Sequence, residues 1–501
     1  MNVFKKKVDI LIRLTAVALF ASLFLSACQT KPNDVPGVAQ TQPACLSMET
    51  QPILFYEVPT MRPSVLVNQD GYDRLADKDV LVYGSNLPDV FRVIDQETDQ
   101  IVYTGELIDG AYNTQTGEYN RVGDFSDVTT AGNYYIECDL VGRSYSFTIQ
   151  DETLVEVQDT AMRRMEECIL QFAENGRLAQ APVREEALQS LYVLLLSYEL
   201  FPAIFQARAA QDIPMPLDVT STILTTLLLT EDAKTQDSSA TQPQPWETSD
   251  YAYLYATVLA KYSYLYQNYN DVDATAILNM ADRAWRYAEQ EFKKKNTEQA
   301  TQSEQYRMAA AAELYRATGR YLYRNAFMEY GDQYLQQQVA TVEQTNVTTP
   351  TDDFYHNMAK ITYLSTNQRV NVTLCNIFIQ QLMEQTEAVA RKAQTSTPPA
   401  GFATFEQADQ TFEDMILLTM VGYAIMSNEY QGFARDCYDY MCGQNPQSYC
   451  YFVRVARDET QATQQAQVLA DAGLQVIQIE DDPLYLSAFV LMLSPLCEAA
   501  E

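Results

Sequence analysis

The sequence predicts a multidomain chain in which a small β-sandwich precedes a larger all-α body, and three observations carry that reading. Short apolar runs with period-two alternation, separated by turn dipeptides, fill the stretch from Pro63 to Gln150. Beyond Asp151 the apolar residues recur at three- and four-residue spacing and continue so to the C-terminus. At 501 residues, 47% hydrophobic and 20% charged, the chain is too long for one ordinary domain and too apolar for a disordered acidic one. Its charge narrows the chemistry further: 66 Asp plus Glu oppose 34 Lys plus Arg, for a formal −32. A nucleic-acid partner calls for clustered Lys and Arg, so none is expected. His356 is the only imidazole, which excludes three-histidine zinc sites and His-Glu-x-x-His proteases and would force any Ser-His-Asp triad through that one residue. Carboxylates are the groups left for acid/base work.

The N-terminus reads as an address. Lys5, Lys6, Lys7 and Arg13 precede an apolar run from Leu14 to Leu25, which stops at Leu25-Ser26-Ala27-Cys28. The pattern resembles the bacterial lipoprotein signal, which implies cleavage after residue 27, a lipid on Cys28 and an extracytoplasmic, membrane-anchored location. An ordinary secretory signal or an uncleaved anchor is the alternative, although the run is short of the roughly 20 residues that span a bilayer. Residues 28–62, rich in Gln, Thr and Pro, read as a flexible tether. Eight cysteines follow Cys28: Cys45, Cys138, Cys168, Cys375, Cys437, Cys442, Cys450 and Cys497. Their spacing matches no zinc or redox motif. Cys437, Cys442 and Cys450 lie close enough to invite a disulfide, with buried free thiols the equal alternative. No cofactor and no metal is required by any motif.

From residue 63 to 150, runs such as Val80–Tyr83, Phe91–Asp95 and Ser144–Ile149 are separated by turns at Asp70-Gly71, Asp109-Gly110 and Ala131-Gly132-Asn133. That spacing predicts the sandwich. In order and spacing, Val67-Asn68-Gln69-Asp70-Gly71-Tyr72, Val102-Tyr103-Thr104-Gly105, Asp124-Phe125-Ser126 and Ala131-Gly132-Asn133-Tyr134-Tyr135 resemble the immunoglobulin-like domain that precedes the catalytic barrel in many cellulases of glycoside hydrolase family 9. The resemblance implies a supporting domain packed on a barrel, and no sugar binding by itself.

In residues 151–501, helical periodicity marks segments near 153–175, 186–200, 217–231, 250–268, 272–293, 303–320, 354–365, 372–393, 410–428, 430–442, 461–473 and 484–499. A dozen helices joined by short links suggest paired inner and outer rings, with a bundle or solenoid giving similar periodicity. The segment from Leu191 to Pro202 resembles the helix that follows the catalytic aspartates of family 9. Ala310–Gly319 resembles a mid-barrel signature of that family, Cys442-Gly443-Gln444-Asn445-Pro446 its late Gly-x-Asn-Pro turn, and Ser494-Pro495-Leu496 the end of its last helix. What the resemblance implies is an (α/α)6 barrel, and an inverting O-glycosyl hydrolase in which one carboxylate activates water while a second protonates the leaving oxygen.

The catalytic windows depart from that pattern. Where the family carries Asp-Ala-Gly-Asp for its base, this chain reads Asn175-Gly176-Arg177-Leu178-Ala179-Gln180-Ala181-Pro182-Val183-Arg184, which holds no carboxylate. The nearest acids, Glu185 and Glu186, are read as first-turn residues of the next helix. The general acid is a Glu near the start of the last helix, a position that falls near Ser487, and no Asp or Glu occurs from Pro483 through Cys497. Glu480, Asp481 and Asp482 just upstream are read as a solvated helix start. The sugar-gripping His-Arg element is reduced to Arg454, while His356 and Trp285 fit a helix start and a core position. Trp246 and Trp285 are the only tryptophans, few for a pyranose-stacking cleft.

Two expectations of different classes follow. One is a catalytically inactive relative of the family 9 cellulases, held at the cell surface by Cys28 with a glycan-binding, partner-binding or structural role. The other is a divergent endo-β-glucanase acting on β-1,4-glucans through substitute carboxylates, namely Glu185, Glu186, Asp481 or Asp482.

Overall fold

The computed structural model describes residues 61–113, 118–209, 213–235, 248–342, 354–395, 408–426, 428–452 and 482–500, together with Pro59 and Gln467. Cys28, Cys45, Trp246, Arg454, Glu480, Asp481 and the helix expected over 461–473 fall outside these, save Gln467.

Ten strands build two packed sheets, β1 (Val65–Leu66), β2 (Tyr72–Asp73), β3 (Asp79–Gly84), β4 (Val90–Asp95), β5 (Ile101–Glu106), β6 (Ile108–Asn113), β7 (Glu118–Asp124), β8 (Gly132–Cys138), β9 (Gly142–Arg143) and β10 (Phe147–Gln150). One sheet runs β1-β3-β7-β6; the other runs β2-β10-β8-β4-β5, with β9 paired to β8. Pairing is antiparallel except between β10 and β2. Alternating residues of both sheets (Val80, Val82, Phe91, Val93, Tyr134, Ile136, Phe147 and Ile149) meet in one core, as period-two burial requires. Phe91 lies across Gly105 and Gly123, where a Cβ would stand 2.5 and 2.3 Å from its ring, so neither position tolerates a side chain.

Thirteen helices follow among the described residues: α1 (Thr153–Glu174), α2 (Ala181–Leu200), α3 (Pro202–Ala207), α4 (Met215–Thr235), α5 (Ser249–Tyr266), α6 (Asp271–Phe292), α7 (Thr297–Thr318), α8 (Tyr321–Val342), α9 (Phe354–Ser365), α10 (Val372–Thr395), α11 (Ala408–Ile425), α12 (Asn428–Met441) and α13 (Pro483–Ala500). Outer and inner helices alternate. The inner ring is α2, α5, α7, α9, α11 and α13, with α13 packed on α2, α2 on α5, α5 on α7, α7 on α9 and α11 on α13. Between α9, α10 and α11 lies a cavity lined by Met358, Val389, Leu417 and Met420 together with the polar Asn357, Gln385 and Asp414. Burial follows rank: α5 is buried without a break from Tyr251 to Ser263, whereas outer α1 buries one stripe through Leu154, Val157, Ala161, Met165, Cys168 and Phe172. The helical part thus resembles an (α/α)6 barrel, not a solenoid. No helix among the described residues is long and apolar enough to cross a membrane.

Two helix assignments need correction. α2 begins at Ala181 with Pro182 in its first turn, so Glu185 and Glu186 sit in its second turn rather than its first. The sequence reading also passed over α8, whose buried stripe is Tyr323, Ala326, Phe327, Tyr330 and Tyr334. These are helically spaced, but tyrosines carry most of the stripe, and Gly319, left-handed at φ 69°, ends α7 only two residues earlier.

The sandwich is fastened to the barrel by the two turns singled out separately above. The Gln69 backbone N–H donates to the Cys442 carbonyl (2.8 Å), Asn68 Nδ2 to Asp439 Oδ1 (2.7 Å) and Gln69 Nε2 to the Ser448 carbonyl (2.9 Å). Ser448 Oγ donates back to the Pro63 carbonyl (2.8 Å). Asn445 organises its own loop, giving its amide to the carbonyls of Tyr440 and Tyr449 and accepting from the N–H groups of Gln447 and Tyr449. It is a turn-former, as its Gly-x-Asn-Pro setting suggests. The seven described cysteines after Cys45 are buried thiols, with no disulfide among the described residues.

Candidate functional site

The inner helices run in one direction, so their N-termini share one end of the barrel: Arg184 of α2 lies over the ring of Tyr251 of α5 (5.0 Å), Lys295 before α7 reaches Asp250 of α5 (2.8 Å), and Tyr306 of α7 meets Tyr355 of α9 (4.7 Å). Both catalytic windows open onto this end.

The base window is filled by apolar packing. After α1 the chain turns at Gly176, left-handed at φ 77°, into a 3-10 turn, Arg177–Ala179. Leu178 points into the core and is 0% exposed. Arg184, itself buried, donates to the carbonyls of Leu178 (3.3 Å) and Ala179 (2.9 Å) and so ties the loop down. The acid window is closed by its own helix. Ser487 is 0% exposed, and its hydroxyl donates to the Leu484 carbonyl (2.7 Å).

Of the substitute carboxylates, Asp482 caps α13, with Oδ1 accepting the N–H groups of Leu484 (3.0 Å) and Tyr485 (3.1 Å). Its charge reaches Glu186 across the gap between α13 and α2. Burial, reinforced by Asp482 and opposed by Arg177, pushes Glu186 up to about 7. Glu185 faces Asp250 instead; burial and that neighbour raise it, and Arg184 opposes. Glu186 therefore lies within electrostatic reach of Asp482, whereas the carboxylate neighbour of Glu185 is Asp250. His356, the third residue of α9, is partly buried beside Glu304. Trp285 is a core residue, 1% exposed, wedged between Tyr253 and Tyr323.

The densest buried chemistry lies deeper in the barrel and was not legible as a site. Glu313 of the mid-barrel signature accepts from Tyr192 of α2 (2.7 Å), Thr362 of α9 (2.8 Å) and Arg316, and lies 3.6 Å from Lys261 of α5. Glu199 of α2 joins Lys261 and Arg316; burial alone would raise its carboxyl, but these two cations hold it at about 2. Four inner helices are cross-linked by this cluster, whose members have all their charges partnered. It ties α2, α5, α7 and α9 to one another deep in the barrel. The alternation of Ala and Leu with Glu313 and Arg316 is the one signal that could have announced it.

Comparison with known proteins agrees with the fold. The model of the cellulase N-terminal Ig-like domain matches residues 60–143, and that of glycosyl hydrolase family 9 matches residues 229–471. Neither match includes the base window at 175–184 or the acid window at 483–497. Among solved structures, a Bacteroides ovatus family 9 protein superposes with TM-score 0.62 at 16% identity, over 87% of this chain and 99% of that one. A thermostable endoglucanase variant from Alicyclobacillus acidocaldarius gives 0.59 at 18%, over 87% and 99%. AaCel9A in complex with cellobiose-like isofagomine gives 0.61 at 17%, over 87% and 100%. No curated protein matches the chain in sequence. Such identities establish the fold alone; with the two family matches in their expected order, the chain belongs to the family 9 cellulase type, an N-terminal Ig-like domain followed by a family 9 barrel.

Proposed function

We propose that this chain is a lipoprotein anchored through Cys28 outside the cytoplasmic membrane, and that it keeps the family 9 architecture to hold a β-glucan or related polysaccharide without cleaving it. The observation that carries the inactive reading is the state of the two windows. Leu178 is packed into the core where the resembled enzymes keep their base, and Ser487 is spent on its own helix where they keep their acid. Loss of both groups removes several kcal/mol of transition-state stabilisation, and an alcohol has far too high a pKa to protonate a leaving oxygen. A polysaccharide ligand is supported by the family match and by AaCel9A, solved with a cellobiose-like compound.

The test is to incubate the chain with barley β-glucan, carboxymethylcellulose and xyloglucan, and to titrate it with cello-oligosaccharides. Binding without reducing-sugar release is expected. Absence of both would transfer the role to a protein partner or to structure.

One observation favours the divergent endo-β-glucanase: Glu186, protonated to about half at neutral pH, lies within reach of the charge of Asp482. An acid and an ionised carboxylate are the pair that inverting hydrolysis needs. Sugar release abolished by Glu186→Gln or Asp482→Asn would establish that reading. Anchoring is tested by fractionation: Cys28→Ser should move the chain out of the membrane fraction.

A further inference from the structure

We propose that Asp70, Cys442 and Cys450, with the hydroxyl of Tyr438 beside them, form a buried site for a thiophilic divalent cation, zinc(II) by donor chemistry, at the joint between sandwich and barrel. The site is assembled by folding. One carboxylate oxygen and two sulfurs lie within 4.8 Å of one another, although Asp70 is 372 residues from Cys442. Tetrahedral zinc with bonds of about 2.0–2.3 Å holds its donors about 3.5 Å apart, so a contraction of about 1 Å closes the set.

Burial makes this a closed, structural type of site: Asp70 is 5% exposed, Cys442 0%, Cys450 2% and Tyr438 4%. The Tyr438 hydroxyl is buried beside the set, close enough to Cys442 and Asp70 to feel their charge and within hydrogen-bonding reach of the Asn68 side chain. The backbone of the same turn is fixed on both sides: Gln69 holds the Cys442 carbonyl, and Ser448 holds Pro63. The donors are therefore preorganised by the joint itself.

A disulfide between Cys442 and Cys450 uses the same sulfurs but fits the surroundings less well. Cys442 Sγ is 3.5 Å from Asp70 Oδ2 as a thiol donor, and an oxidised sulfur has no proton to offer. A dication satisfies sulfur and carboxylate together. Uptake forms two Zn–S bonds and one Zn–O bond and releases the two thiol protons to solvent, so affinity falls as pH falls. Neither cysteine spacing nor a histidine signals such a site, because its third donor comes from the other domain.

The full chain, purified without chelators and loaded with zinc or cobalt(II), should hold about one metal per chain by elemental analysis. Cobalt should show thiolate-to-metal charge-transfer absorption that disappears in Cys442→Ser and in Cys450→Ser. Asp70→Asn keeps both sulfurs, and should weaken zinc about tenfold or more in competition with a chromophoric chelator. If the cysteine variants fail to fold, the cobalt spectrum of the parent and the Asp70→Asn affinity decide the matter. A metal-free chain after loading, with either a Cys442–Cys450 disulfide in non-reducing peptide maps or both thiols titrating freely in excess zinc, would overturn the proposal.

Discussion

Leu178, Ser487 and Glu186 occupy neighbouring ground at one end of the barrel and respond to burial in three ways. Leu178 gains from it, Ser487 satisfies its hydroxyl within its helix, and Glu186 holds on to its proton. Restoring a carboxylate by Ser487→Glu should therefore fail twice. The new group enters a position with 0% exposure on a helix buried from Tyr485 to Cys497, at a cost of about 2 kcal/mol or more, and no sugar release should appear. A lowered urea midpoint with an unchanged reducing-sugar blank is the expected result; a gain of hydrolysis would show that the window is open. Glu186 makes a pH-dependent prediction. Its carboxyl titrates near 7 in the folded chain against an ordinary 4.5, so the folded state binds the proton more tightly. That contribution is complete below about pH 4.5 and is lost as pH rises through 7. Glu186→Gln should melt with the parent at pH 4.5 and above it at pH 8, by about 1 kcal/mol after allowance for partial exposure. A difference independent of pH would mean that Asp482 and burial do not act on this group.

At the scale of elements, the barrel is held by hydrophobic contact and by buried charge clusters, among them the one joining α2, α5, α7 and α9. Glu313 and Glu199 balance Lys261 and Arg316. Glu313→Gln would leave two buried cations facing one carboxylate, which costs about 3–5 kcal/mol. The expected observation is a urea midpoint well below that of the parent with a retained helical spectrum. Parity between the two would show that the cluster contributes specificity without stability. Elements were also where the sequence was most legible. Period-two runs located the sandwich, and the nearly continuous burial of α5 and the one-sided stripe of α1 follow their apolar patterns. α8 escaped because tyrosines form most of its stripe and a tyrosine counts as polar by one atom. The empty catalytic windows were legible because they are matters of residue identity. The approach of Glu186 to Asp482, and of Asp70 to Cys442, was not, because neither pair is near in sequence.

For the whole molecule, the sandwich and the barrel meet in a buried, hydrogen-bonded joint built from the turn motifs of both. Asn68 and Gln69 satisfy Asp439 and the carbonyls of Cys442 and Ser448, while Asp73 Oδ1 accepts the N–H of Thr153 at the start of α1 (2.6 Å). Each group left unpaired in a buried joint costs about 1–3 kcal/mol. Gln69→Ala, which removes one side-chain donor, should lower stability by about that amount while leaving a single transition. Starting the chain at Thr153 orphans several such groups together and uncovers the buried faces of Cys442 and Cys450. The summed penalty is comparable with the roughly 5–15 kcal/mol that a folded domain has in total. The isolated barrel should therefore express in insoluble form, or melt without cooperativity, whereas the chain beginning at Met61 should melt in one step. A soluble barrel with the parent's transition would demote the sandwich from a structural half of the protein to an appendage.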